Sequence, residues 1–446
     1  MPQTLVEKHQ SIAHHRGGAR AWFFWCVASL FYVYEFFLRD AGSMIESDLQ
    51  KTFGASAQEI GGVMSVYLWF YAPMQIIAGI LLDKFGTRKT LPWAALLCVL
   101  GAVLFALSQN LWMLAISRAM LGLGSAFAFI GAIYLASVWF PPSRLALLAG
   151  LTIALGVIGG MIAQSPMAWL NDAVGWRSTV LITAVSGLLL SGLMFWTIPP
   201  RPRWFVELFC EEEKSIAEFF KGLGQVMSNS QSLLVGIMAG MVWLPVSVFA
   251  ALWGVRYLTG TLEISVAEAG IGVIIMYFGL LLGGPFWGFL SDRLHRRKLP
   301  IMVGIGLSCV VMLVIVLFNP GLTIYGVYSL LFVVGFMTSS QGVTFAMAAE
   351  IHSPKLGGIA IGVNNFLIMI IGAALMWGLG ILLDYKAGPQ LAEHAEKIPP
   401  QDFKFMMMAI PICLVIGFVL TFFMRDTHRL RLPDEDGDSK PPISHG

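Results

Sequence analysis

The chain has 446 residues, of which 57% are hydrophobic and only 12% are charged. Ordinary soluble domains carry about a quarter charged residues, so this composition excludes a soluble globular protein and predicts an α-helical membrane protein. The net charge of +2, without a basic tract, gives no indication of a nucleic-acid partner. The five cysteines are scattered without a Cys-x-x-Cys pair, so we expect no disulfide framework, no metal site and no cofactor.

Long uncharged stretches predict the membrane spans, because a spanning helix needs about 20 apolar residues. The polar start of the chain lacks an apolar core, so we expect no cleaved signal and a retained first span. That span covers Trp22–Leu38 and could extend to about Met44. Five more spans precede the polar stretch Pro199–Ser228, and a turn at 319–321 divides the uncharged run Leu299–Ala349 into two. The total is twelve spans, six on each side of the polar stretch.

This layout predicts four segments: a six-helix N-terminal half with its tail (1–198), an amphipathic linker (199–231), a six-helix C-terminal half (232–424) and a polar tail (425–446). In the linker, apolar residues at helical spacing predict one or two helices on the membrane surface. With the N-terminus in the cytoplasm, the cytoplasmic segments hold 20 of the 28 Lys and Arg residues and the outer loops hold 7. Both termini are therefore predicted to be cytoplasmic.

One motif occurs twice, at the ends of the second and eighth spans. Gly79 precedes Asp83-Lys84, and Gly288 precedes Asp292-Arg293, and a basic cluster follows each copy, with Arg88 in the first. The two aspartates are 209 residues apart, which is about half of the membrane domain. The glycines allow a neighbouring helix to approach closely. A parallel repeat of two six-helix halves explains this spacing.

In this motif and in its six-plus-six layout, the chain resembles the major facilitator superfamily of secondary transporters. The resemblance covers the whole membrane domain, and it implies an all-α integral membrane fold of twelve transmembrane helices that transports by alternating access. It also implies a gating role: Asp83, with Arg88, would face the start of helix 11 when the cavity opens outward. Asp292 and Arg293 would act in the same way on helix 5. The simpler alternative is that these basic residues only anchor the topology.

Few polar residues lie inside the predicted spans, where a charge costs about 2.5–3.5 kcal/mol unless it has a partner or a wet cavity. Glu35 and Arg39 share one face of span 1 with Tyr32, and Arg118 lies in span 4. The resemblance implies that both spans line the cavity, so we expect Glu35 to pair with Arg118 or Arg39, either as a proton-linked acid or in a structural ion pair. Further candidates for the cavity wall or for interhelical contacts are Tyr67, Tyr71, Gln75, Gln164, Trp243, Gln341, Asn364 and Asn365.

The region around Arg39 is similar to the organophosphate and anion-symporter branches of the superfamily, where an arginine of span 1 contacts an anionic group. Two departures weaken this similarity. Ser125 stands where anion:proton symporters have a glutamate, and span 7 is uncharged until Arg256, so the second arginine of the organophosphate antiporters is missing. A phosphate-specific clamp is therefore not expected.

We predict proton-coupled uptake of a small, anionic organic metabolite by a monomer in the bacterial inner membrane. Its partners would be the substrate, membrane lipid and protons. The alternatives left open are a larger amphiphile such as a siderophore, moved in either direction, and a non-transporting ligand sensor with the same fold. No nucleophile–base pair or metal cluster is evident in the sequence, so we do not expect an enzyme.

Overall fold

The computed structural model describes residues 18–141, 144–200, 216–318, 321–353, 356–387 and 399–427. In these ranges, twelve helices are long and apolar enough to span a membrane. They are α1 Ala19–Phe53, α2 Ala57–Phe85, α3 Thr87–Ala106, α4 Leu111–Trp139, α5 Leu147–Val174, α6 Trp176–Thr197, α7 Ser230–Leu262, α8 Val266–Leu294, α9 Lys298–Phe318, α10 Ile324–Glu350, α11 Gly357–Lys386 and α12 Pro400–Phe423. The all-α prediction of twelve spans is confirmed.

The first helix is much longer than the predicted span. It covers 35 residues and ends at Phe53, because the helix is interrupted only at Ala41 and resumes at Gly42. Its end is set by Gly54, whose φ of 58° lies in the left-handed region that favours glycine. The polar residues near position 39 therefore lie in the middle of α1 and not at its rim.

The long uncharged run is divided as predicted, since α9 ends at Phe318 and α10 begins at Ile324. Asn319 and Pro320 themselves lie outside the described residues. In the linker the structure describes one amphipathic helix, Ile216–Met227, which we call the linker helix. Its Leu223 and Val226 pack against Ala360 and Val363 of α11. Residues 201–215 and both chain ends lie outside the described part, so the predicted segment boundaries stay a prediction.

The second helix of each half is built in the same way. Both α2 and α8 have 29 residues, and each starts with a capping box, formed by Ser56 with Glu59 and by Ser265 with Glu268. In such a box the serine and glutamate side chains satisfy backbone amides that the first turn of a helix leaves unpaired. The two serines are 209 residues apart in the sequence, the same separation as that of Asp83 and Asp292. The internal repeat thus relates equivalent helices.

The two halves are in contact at one end of the bundle. Asp384 of α11 accepts hydrogen bonds from the amides of Ala57 and Gln58, at 3.0 and 2.8 Å, where α2 begins. Arg256 of α7 forms an ion pair with Glu46 of α1 at 2.7 Å. The Asp384 carboxylate is favoured by the dipole of α2, since it lies at the N-terminus of that helix. The Arg256–Glu46 pair resists opening because separation would leave a buried charge without its partner. We call this the sealed end.

The other end of the bundle is where α2 and α8 run into their basic loops, and we call it the basic end. A Cβ atom added to Gly79 or Gly288 would meet no heavy atom of the described residues within 4 Å. The same holds for Gly358 and Gly362 near the start of α11. Within the described residues these four glycines are therefore not packed against the opposite half, and from this we infer that the structure is open at the basic end.

Candidate functional site

A group of charged and polar side chains is buried in the middle of the bundle, and we call Glu35, Arg39, Asp40, Tyr67 and Tyr277 the charged cluster. The Arg39 guanidinium lies 3.5 Å from Glu35 through Nη1 and 3.2 Å from Asp40 through Nε. The Tyr67 hydroxyl donates to Glu35 Oε1 at 2.8 Å. Glu35 and Asp40 are 0% exposed, so their charges depend entirely on these neighbours.

The sequence of α1 explains how one arginine reaches two acids. Glu35 and Arg39 are four residues apart on the same helical face, and Asp40 is the next residue, just before the interruption at Ala41. One guanidinium is thus shared between two carboxylates. Within the described residues, Glu35 Oε2 and Arg39 Nη2 are buried without a hydrogen-bond partner. The cluster therefore has both an acceptor and a donor atom available for a proton or a ligand.

Asp40 connects the two halves of the protein. Its Oδ2 atom accepts a short hydrogen bond from the hydroxyl of Tyr277, which belongs to α8 in the C-terminal half. Gly160 of α5 leaves room for this contact, because a Cβ atom there would lie 3.0 Å from Asp40 Oδ2 and 3.1 Å from Tyr277 Cζ. Neither partner was predicted from the sequence. The position of Asp40 beside Arg39 was a usable signal, whereas Tyr277 lies in an apolar run without one.

The contacts of Arg118 exclude one of the two predicted partners of Glu35. Its guanidinium donates to the backbone oxygens of Leu38 at 3.1 Å and Met64 at 3.3 Å, and it lies 4.8 Å from the centre of the Tyr67 ring. The predicted alternative of a Glu35–Arg118 pair is therefore wrong, and Glu35 pairs with Arg39. The physical reason is that Arg118 reaches carbonyl groups of α1 and α2, so it joins three helices.

A second polar group lies nearer the basic end. Asn365 of α11 donates to the side-chain oxygen of Gln75, and Gln75 donates to the Tyr71 hydroxyl at 2.7 Å. The Tyr71 ring stacks on Tyr67, with centroids 5.6 Å apart and planes at 17°. The predicted residues Tyr71, Gln75 and Asn365 are thus brought together. They form a second link between the halves, which touches the charged cluster through Tyr67.

The other candidate residues lie around these two groups. Gln164 is buried and accepts from Ser43 Oγ at 3.3 Å, beside Asp40. Asn364 of α11 donates to Thr344 Oγ1 of α10 at 3.2 Å. Of the two roles considered from the sequence, cavity wall or interhelical contact, this is an interhelical contact. The positions of the remaining three are as follows: Tyr32 packs on Phe36 and Phe129, Trp243 is half-buried in α7, and Gln341 is buried in a short 3₁₀ turn of α10.

The predicted gating residues lie at the open basic end. Asp83, Arg88 and Arg293 are exposed. Asp292 pairs at 2.5 Å with Arg297 of its own loop, and Arg297 also binds Glu350 at 3.0 Å. The gating role of the motif residues stays a prediction.

Comparison with known proteins identifies the family. The model of the Major Facilitator Superfamily matches residues 24–257 and 235–445. A probable galactarate/D-glucarate transporter GudP of Bacillus subtilis (strain 168) is 24% identical over 302 residues, which are 60% of this chain and 65% of that protein. The protein of the same name from Escherichia coli (strain K12) is 23% identical and covers 81% of this chain and 87% of its own. The D-galactonate transporter of Escherichia coli O6:H1 is 22% identical, over 73% of this chain and 80% of its own.

Solved structures agree on the fold. A bacterial homologue of the human lysosomal transporter Spinster, in an inward-facing and unoccupied conformation, superposes with a TM-score of 0.73 at 18% identity, over 93% of this chain and 98% of its own. The nucleoside transporter NupG superposes with a TM-score of 0.71 at 15% identity, over 90% of this chain and 99% of its own. Because the family model matches residues 24–257 and 235–445, the chain belongs to the Major Facilitator Superfamily, a family of transporters and not of enzymes.

Proposed function

We propose that this transporter is a proton-coupled symporter that takes up a small organic anion, with Glu35 as the proton-linked acid and Arg39 as the cationic partner of the substrate. The observation that carries this proposal is the charged cluster, in which two fully buried carboxylates share one guanidinium. A buried charge that loses its partner is strongly disfavoured. If Arg39 moves away from one of the two carboxylates, that carboxylate must therefore bind a proton.

Substrate binding can supply that change. An anionic group that binds Arg39, beginning at its unpartnered Nη2 atom, competes with Glu35 for the guanidinium. Glu35 has a second oxygen without a partner, so it is the carboxylate that gains most from a proton. Binding of the anion and of the proton then favour each other, which is the requirement for symport.

The class of substrate is supported by the names of the relatives. They are called transporters of galactarate and D-glucarate or of D-galactonate. These sugar acids are small polar anions, and they offer a carboxylate for Arg39 and hydroxyl groups for amides such as Gln164 and Asn365. We propose that the substrate of this chain is a sugar acid or a similar hydroxylated organic acid.

The orientation follows the distribution of Lys and Arg. If the basic end faces the cytoplasm, as the positive-inside rule favours, the protein lies in a bacterial inner membrane with both termini inside and the present structure is inward-facing. The sealed end would then be the entrance for the substrate in the other state. We propose that the transporter acts as a monomer surrounded by lipid, with the two halves moving relative to each other.

Uptake into proteoliposomes under an inward proton gradient tests this proposal. The labelled compounds are galactarate, D-glucarate and D-galactonate, with neutral galactose as a control and a ferric siderophore for the larger-substrate alternative. We compare the wild type with Glu35→Gln, which keeps an acceptor for Tyr67 but cannot change its charge. Glu263→Gln, which removes an exposed carboxylate between α7 and α8, is the matched control.

We expect gradient-driven accumulation of an acid in the wild type and in the control variant. Glu35→Gln should lose accumulation but retain exchange of labelled for unlabelled substrate, because only the proton step is removed. Uptake that depends neither on the gradient nor on Glu35 would contradict the proton role of Glu35. The Glu35–Arg39 pair would then be a structural ion pair. Uptake of the siderophore alone would favour the larger substrate, and binding without flux would indicate a sensor.

A further inference from the structure

We propose that Tyr277 couples the conformation of the two halves to the proton on Glu35, acting through Asp40 and Arg39. The proposal rests on the proposed function and adds a positioning residue in the C-terminal half, which does not itself contact the proton or the substrate. The decisive feature is that Asp40 has two donors, one on each carboxylate oxygen and one from each half of the protein. Arg39 Nε reaches it from α1 at 3.2 Å, and the Tyr277 hydroxyl reaches it from α8.

In the present structure Tyr277 satisfies one oxygen of Asp40. Asp40 therefore needs only one bond from Arg39, and the other arm of the guanidinium is free to approach Glu35 at 3.5 Å. A cation beside a buried carboxylate favours its ionised form. Arg39 thus makes release of a proton from Glu35 easier in the state that is open at the basic end, and a proton carried there leaves towards that end.

Opening of the sealed end would reverse this arrangement. Tyr277 and Asp40 belong to different halves, and a separation of α8 from α1 and α5 removes the hydroxyl from Asp40. The buried Asp40 carboxylate would then need both arms of Arg39, because an unpaired charge at 0% exposure is costly. Glu35 would lose the guanidinium and take up a proton from the newly opened side. One proton thus binds on one side of the membrane and leaves on the other in each cycle.

The packing around Asp40 suits a contact that forms and breaks. Gly160 of α5 faces both partners, and a Cβ atom at this position would press against both of them. The ionisable groups near Asp40 and Glu35 are, besides each other and Arg39, Tyr32 of α1, Tyr67 and Tyr71 of α2, Cys98 of α3, Arg118 of α4 and Tyr277 of α8. Of these, Tyr277 alone belongs to the C-terminal half. It is therefore the group in this set whose distance from the acids changes when the halves move.

The test compares Tyr277→Phe with Tyr257→Phe in full-length protein. Both variants remove one buried hydroxyl, but the Tyr257 hydroxyl donates to backbone oxygens of Ile315 and Val316 within the C-terminal half. The measurements are the accumulation ratio under an inward proton gradient and counterflow exchange without a gradient, with labelled D-galactonate or whichever acid the wild type accumulates. Thermal unfolding of each variant confirms that it is folded.

We expect Tyr277→Phe to lower the accumulation ratio at least about tenfold, a coupling change of about 1.4 kcal/mol, with counterflow exchange within about twofold of the wild type. Tyr257→Phe should change neither the accumulation ratio nor counterflow exchange. Equal losses of accumulation and exchange in Tyr277→Phe would indicate a merely structural hydroxyl and would overturn the proposal, as would unchanged accumulation.

A second variant acts at the other end of the contact. Asp40→Asn removes the competitor for Arg39, so Glu35 should stay ionised in both states and exchange should lose its dependence on pH. A wild-type pH profile in Asp40→Asn would contradict the proposal even if Tyr277→Phe did not fold. If the wild type itself fails to accumulate any acid under the gradient, the proposed function fails first, and that result is distinct from the ones above.

Discussion

Arg256 donates to the carboxylate of Glu46 at 2.7 Å, and this ion pair joins α7 to α1 across the sealed end. The side chains are 10% and 1% exposed, so the pair is largely removed from water. Truncation of one partner of such a pair costs about 3–5 kcal/mol, because it leaves a buried charge alone. We expect Arg256→Gln to shift the population towards the state that is open at this end.

Spin labels at positions 172 and 266 measure this shift in a variant that lacks the five native cysteines. Both positions are exposed, at the end of α5 and the start of α8, so their separation should increase when the sealed end opens. The double variant Arg256→Gln with Glu46→Gln should return towards the wild-type distance, since no charge is left unpaired. An unchanged distance distribution in the single variant would contradict the prediction.

Two glycines of α2 should have opposite effects on the same equilibrium. A Cβ atom on Gly61 would lie 2.9 Å from the backbone oxygen of Met376 and 3.1 Å from Trp253 Cζ2 at the sealed end. Gly61→Ala should therefore disfavour closure there, at a cost of about 1–3 kcal/mol. The methyl group added by Gly79→Ala has no neighbour within 4 Å in the present state, but it would obstruct closure at the basic end. The label pair described above should show a longer mean distance in the first variant and a shorter one in the second.

Arg118 should contribute to stability through the backbone oxygens of Leu38 and Met64. Lysine cannot reach both, and the loss of a hydrogen bond to a charged donor costs about 1.5–3 kcal/mol. Arg177→Lys is the matched control, because Arg177 donates to the backbone oxygens of Ala106 and Ser108 at 2.6 and 2.9 Å, away from the charged cluster. Thermal unfolding should show a similar loss in both variants. Uptake should fall only in Arg118→Lys, and an equal fall in both would assign Arg118 a purely structural role.

His352 should make the stability of the protein depend on pH. Its Nε2 atom lies 2.6 Å from Ser232 Oγ, and burial lowers the pKa of His352 below 6.5. The folded state therefore binds this proton less readily than the unfolded state, so its contribution is present above pH 6.5 and is lost as the pH falls. The melting temperature of His352→Gln should fall less than that of the wild type between about pH 7.5 and about pH 5.5. Equal slopes would show that another group is responsible.

Much of the architecture was accessible from the sequence, because hydropathy and the repeated motif report on single helices. The Glu35–Arg39 pair was predictable for the same reason, since both residues lie on one face of α1. The end of α1 was not, because the helix continues through polar residues such as Glu46 and Asp48, beyond the apolar part that hydropathy detects.

The contacts between the halves could not be predicted, since they depend on how distant helices are arranged. Tyr277 and Asp40 are 237 residues apart, and neither position carries a pattern that indicates the other. The partners of Arg118 were hidden as well, because they are backbone oxygens, which every residue has. A charged residue in a span thus predicts that a partner exists but does not identify it.

The capping at the start of α2 has a mechanical consequence. This helix of 29 residues is about 44 Å long at a rise of about 1.5 Å per residue. Its first turn is held by its own capping box and by Asp384, so the helix can act as a lever pivoting near that turn. Each degree of tilt displaces the far end by about 0.8 Å, and a tilt of about 10° moves it by about 8 Å. A rotation that barely disturbs the packing at the pivot is therefore enough to let a small organic acid leave at the other end.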